Sequence, residues 1–93
     1  MAGIVNSFID AFIPKIGAAG AYALYLHLEK QFHLNSIITE IRELPVGYRE
    51  WITADDYTVR LQEYRFEYAD QQVTFYAGVA RVTNTLYWWT ENA

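Results

Sequence analysis

The chain predicts an α+β domain. A helical segment over about 3–44 precedes an antiparallel β-meander of three or more strands over about 47–89, which ends in a long bent hairpin. Three observations carry that prediction. Apolar residues recur at helical spacing in the first third of the chain and alternate with period two after Tyr48. Residues 48–89 hold eleven of the sixteen aromatics, interleaved with most of the charge. Residues 1–28 carry only two charged side chains, Asp10 and Lys15, and proline at 14 and 45 punctuates the helical part.

Ile4, Val5, Phe8, Ile9 and Phe12 form one apolar stripe, with Asn6, Ser7 and Asp10 opposite, which predicts a short helix over about 3–12. Pro14 disfavours helical geometry at Ile13 and suits the first turn of a new helix, so a second helix runs from about 14 to 32. Its part from Ile16 to Leu28 is apolar on every side. Gly17, Gly20, Ala21, Leu24 and Leu28 fall on one side, and Ile16, Ala19, Tyr22, Ala23 and Leu26 on the other. Gly17-x-x-x-Ala21 is a small-residue spacing that permits close approach of another backbone. Ile37, Ile38, Ile41 and Leu44 fit a third short helix over 36–44, capped by Asn35 or Ser36 and stopped by Pro45. The β-branched isoleucines leave a strand as the alternative.

Tyr48 to Thr53 reads as a strand turned back at Ala54-Asp55-Asp56. Tyr57, Val59 and Leu61 then alternate, the phase slips, and Tyr64, Phe66 and Tyr68 carry the apolar side. After Asp70-Gln71 the apolar positions are Val73, Phe75 and Ala77, with a second slip near Gly78. Pairing Tyr68 with Val73, Phe66 with Phe75 and Tyr64 with Ala77 matches apolar to apolar. The same register sets Leu61 opposite Ala80 and Val59 opposite Val82, and it aligns the slips. The hairpin should bend there, with its two halves burying opposite faces and glycine at the bend.

Ninety-three residues favour one domain spanning 1–93, and 53% hydrophobic residues exclude disorder. With no cysteine there is no disulfide framework, thiolate nucleophile or cysteine-based zinc cluster, which fits a reducing, cytoplasmic setting. The N-terminus does not read as a secretory signal. The uninterrupted apolar run of 13 residues falls short of the ~20 needed to cross a bilayer. A net charge of −4 with seven scattered basic residues argues against direct nucleic-acid binding.

No catalytic, cofactor or metal motif emerges. His27 and His33 lie about 240° apart on a helix and cannot share a metal there. Glu29 with His33 is half a site without a second half. Asp55-Asp56 reads as turn chemistry, and Glu63, Glu67, Arg60 and Arg65 as solvated pairs. Tyr57, Tyr64 and Tyr68 read as core rings with hydroxyls at the edge. In Tyr87-Trp88-Trp89, adjacent strand residues face opposite ways, so one tryptophan points away from the core the other joins. It serves either an interface or a second covered sheet face.

These features predict a non-enzymatic interaction or assembly protein without cofactors, homo-oligomeric or bound to another protein. Gly17, Gly20, Ala21, Leu24, Leu28, Trp88 and Trp89 are the expected contact residues. A structural or accessory subunit of a virus or phage would suit so short a chain. The alternatives are a membrane-associated subunit anchored by residues 4–28, and a small acidic inhibitor of an enzyme or nucleic-acid-binding protein.

Overall fold

The computed structural model describes residues 8–47, 51–54 and 57–91. Residues 8–10 are helical and lead into helix α1 (Ile13–Phe32). Six strands follow: β1 (Glu40–Glu43), β2 (Trp51–Ala54), β3 (Tyr57–Arg60), β4 (Gln62–Tyr68), β5 (Gln71–Ala80) and β6 (Thr85–Thr90). Four of them form a sheet in the order β1-β6-β5-β4, while β2 and β3 make a separate antiparallel pair. The chain is α+β as its periodicities predict, with β4, β5 and β6 an antiparallel meander. The first half of the expected first helix, the turn at Asp55-Asp56 and the start of the Tyr48 strand lie outside the described residues.

All six residues of β6 are buried. Side chains on successive strand residues point to opposite faces, so β6 needs a cover on both sides, and it has one. On one face Val73, Phe75, Ala77, Leu86 and Trp88 meet Phe8, Phe12, Ile16, Leu24 and Leu28. Four rings interlock there: Phe8 lies 4.6 Å from Trp88 and 5.6 Å from Phe12, and Phe12 lies 5.4 Å from Phe75. On the other face Ala80, Tyr87 and Trp89 pack against Val59 and Leu61, with Leu44 and Tyr76 at the margin. Tyr76 stacks flat on Trp89 at 4.5 Å and 10°.

The segment 36–44 differs from the helical expectation. One helical turn closes on the His33 carbonyl, which accepts from Ile37 N–H at 2.9 Å, and the chain then straightens into β1. β1 runs parallel to β6, with Ile41 beside Leu86. Thr39 anchors it by donating its N–H to the Asn84 carbonyl at 2.9 Å and its hydroxyl to that of Thr83 at 2.9 Å. A helix would have put Ile41 and Leu44 on one face. In the strand Ile41 joins the helix-side core and Leu44 the opposite one.

The β4–β5 ladder is shifted by two residues from the sequence register. Tyr68 pairs with Gln71, Phe66 with Val73, Tyr64 with Phe75 and Gln62 with Ala77. An even shift leaves every side chain on its expected face. The turn is Ala69-Asp70, both left-handed (φ 48° and 68°), which is the geometry of a two-residue type I′ hairpin. The far half of the expected hairpin is not a ladder with β5, because β3 pairs with β2. The predicted reversal of burial is present all the same: Val59 and Leu61 join the core opposite to Tyr64 and Phe66. Gly78 makes the crossing feasible. A Cβ there would sit 2.2 Å from the Arg60 carbonyl oxygen and 2.9 Å from Val59 Cγ1.

Two outcomes follow from this geometry. Left-handed φ is costly for alanine, so replacing Ala69-Asp70 by Asn-Gly should raise stability by about 1 kcal/mol, seen as a melting midpoint roughly 4–8 °C higher. Gly78→Ala drives a methyl into backbone, which cannot rotate away, and should cost about 3 kcal/mol in a denaturant titration.

Candidate functional site

Helix α1 begins with proline in its first turn and without a side-chain cap at Phe12. Gly17 then takes φ 78° and ψ 171°, a conformation open to glycine and not to alanine, and breaks the helix into a short turn and a long run. The helical segment is thus interrupted twice, at Ala11-Phe12 just before Pro14, as the proline predicts, and again at Gly17. At the far end His33 is left-handed (φ 58°) and donates its N–H to the Glu29 carbonyl at 2.9 Å. The Glu29 carboxylate accepts from Asn35 N–H at 2.7 Å and from the Ser36 hydroxyl at 3.2 Å, which ties down the turn that leaves the helix.

The inner side of α1 is a column at i, i+4 spacing. Ile16, Gly20, Leu24, Leu28 and Phe32 are buried, with Ala21 beside them. Gly20 is closely overlaid on two sides: a Cβ would lie 2.9 Å from Ile16 Cβ and 3.0 Å from the Tyr68 ring at the hairpin tip. The outer side is also apolar but has no cover among the described residues. Ala18, Ala19, Tyr22 and Leu26 are exposed, Tyr22 at 59% and Leu26 at 45%. Tyr22 stacks on half-buried Tyr25 at 6.3 Å. Lys15 and Lys30, both exposed, bracket this uncharged stretch.

The residues expected at a contact are therefore distributed differently. Gly20, Ala21, Leu24 and Leu28 lie under the sheet, Trp88 is in the same core against Phe8 and Phe12, and Trp89 is in the opposite core. Gly17 alone is exposed, at the helix break. The tryptophans do face opposite ways, and both faces are covered. Tyr22 and Leu26 take the exposed position instead. The sequence held a signal for this assignment. The Ile16–Leu28 column extends in the same phase to Phe32, whereas the Tyr22–Leu26 column runs into Lys30.

The other candidate groups have structural work or sit apart. His27 is exposed, its ring 5.8 Å from Phe66, and His33 is the helix cap. Arg65 pairs with Glu63 at 2.7 Å, and the Tyr76 hydroxyl donates to the other Glu63 oxygen at 2.9 Å. Tyr64 stacks on Phe75 at 5.4 Å and donates to the Gln62 side-chain carbonyl at 3.2 Å. Burial pushes its hydroxyl above the ordinary value, so it stays a neutral donor. Among the described residues no group of three His, Asp or Glu side chains could hold a metal, and no helix is long and apolar enough to cross a membrane. Comparison with family models, curated proteins and solved structures finds no match to this chain.

The two sides of α1 should respond differently to truncation. Leu24→Ala removes a fully buried side chain and should cost about 3 kcal/mol. Leu26→Ala, two residues away and exposed, should stay within about 0.5 kcal/mol when measured at high dilution.

Proposed function

We propose that the chain is a non-enzymatic assembly protein that associates with a second copy of itself through the outer face of α1. The observation that carries this reading is an uncharged, solvent-facing surface on the longest element of a small domain. Ala18, Ala19, Tyr22 and Leu26 occupy positions where a surface helix ordinarily presents charge. A face that bears no charge offers nothing to a charged partner and is complementary to its own copy. An antiparallel crossing about a two-fold axis near Leu24 would set Tyr22 of each copy against Leu26 of the other, so that the two copies make the same contact twice.

The face is narrow. From Ala18 to Leu26 the helix spans about 12 Å, which gives well under the roughly 800 Å² per partner of a standard interface. Association should accordingly be reversible and concentration-dependent. A membrane surface is the second reading, favoured by Lys15 and Lys30 at the two ends of the apolar face.

Light scattering after size exclusion without detergent should give a mass that rises toward a dimer with concentration. Leu26→Glu or Tyr22→Glu should restore the single-chain mass while circular dichroism stays unchanged. A single-chain mass at every concentration would defeat the self-association reading. Co-sedimentation of that species with phosphatidylserine vesicles, lost in Leu26→Glu, would put the membrane surface in its place.

A further inference from the structure

A second feature lies at the opposite end of α1 from the N-terminal turn and does not involve its outer face. Where the chain crosses from β3 to β4, a hollow of about 300 Å³ opens between the end of the helix and the sheet. Its apolar lining is made by Phe32, Ala77, Gly78 and Val79. Its rim is polar: Gln31 from α1, Gln62 and Tyr64 from β4, and two arginines, Arg60 at the end of β3 and Arg81 just beyond β5. No carboxylate lines it, although the chain holds eleven Asp and Glu against seven Lys and Arg. The hollow is thus a local positive site on a protein of net charge −4.

The lining groups are mostly donors. Tyr64 gives its proton to the Gln62 side-chain carbonyl, which leaves the Gln62 amide N–H₂ to donate outward. Guanidinium groups bring forked N–H donors matched to a carboxylate or phosphate. Arg60 has an interaction of its own, so Arg81 supplies the more adaptable of the two charges. Exposed Arg81 makes no hydrogen bond or ion pair among the described residues.

We propose that this hollow binds a small oxyanion, a carboxylate or phosphate group, held by Arg81 and Arg60 with the Gln31 and Gln62 amides. The volume admits one such group with a short apolar appendage over Ala77 and Val79, and little more. The site is independent of self-association through α1.

Titration of the intact chain with inorganic phosphate and, separately, with acetate at constant ionic strength tests it, read by amide chemical shifts in nuclear magnetic resonance. Saturable shifts confined to residues 31–32, 60–64 and 77–81 are expected with at least one of the two anions, and the stronger one identifies the preferred group. Arg81→Gln should weaken that binding about tenfold, as loss of a hydrogen bond to a charged group does. Gln31→Leu should weaken it less, and Arg65→Gln, on the opposite face of the sheet, should leave it unchanged. Melting curves of each variant establish that the fold is intact, which exposed positions such as Gln31 and Arg81 favour. Non-saturating shifts spread over all basic residues, or unchanged affinity in folded Arg81→Gln, would overturn the proposal.

Discussion

The fold depends on burying both faces of β6. A strand with Leu86, Tyr87, Trp88 and Trp89 in succession cannot leave either face in water, because alternate side chains are all large and apolar. Each tryptophan removed from water is worth several kcal/mol, as truncations of such residues show. The chain supplies two covers, one from its N-terminal part and one from its middle. The N-terminal helical residues close over Trp88, and β3 with the residue that follows it brings Val59 and Leu61 over Trp89. β1 then seals the edge of β6, with the Leu44 N–H donating to the Trp88 carbonyl at 2.8 Å. A sheet of only four strands becomes the middle layer of the molecule.

That arrangement makes demands on glycine that composition alone would not suggest. To reach the far face, the chain must pass β3 closely over β5, and at Gly78 the Arg60 carbonyl occupies the space of a side chain. Where the hairpin tip meets the helix, Gly20 must yield its side-chain volume to Ile16 and Tyr68. A glycine within a helix costs about 1 kcal/mol relative to alanine. The cost at Gly20 is offset by ring packing against the helix axis. Gly17, by contrast, has open space around it and serves the backbone conformation only. The Gly17-x-x-x-Ala21 spacing, which suggests a helix partner, thus resolves into a break, a seat for Tyr68 and a buried alanine.

Much of this was legible in the residues, and the failures share a cause. Period-two alternation located the strands, and the phase slips at Gln62 and Gly78 correctly signalled that burial changes face. Face assignment follows from parity alone, so it survived a ladder register displaced by two residues. The register itself depended on the turn, and Ala69-Asp70 lacks the glycine or asparagine that normally marks a type I′ turn. Ile37 to Leu44 satisfies both a helical and an extended pattern. The choice is made by β6 and the turn before it, more than forty residues away in sequence, where Asn84 accepts from Thr39 and Trp88 from Leu44. Local propensity carries no trace of such a partner.

The two sides of α1 were the hardest to tell apart, and for a physical reason. When both sides are apolar, periodicity loses its contrast and the helix gives no internal statement of which side faces in. The sheet decides by volume. Its helix-facing surface already carries Phe75, Trp88, Tyr64 and Phe66, bulky groups that leave room for a column interrupted by Gly20 and Ala21 rather than one bearing Tyr22. Trp88 and Trp89 are thereby each spent on one of the two cores. Among the described residues nothing covers Tyr22 and Leu26. The outer face of α1 stays apolar without serving the fold, and a residue choice that folding does not require is where a contact with another molecule is best sought.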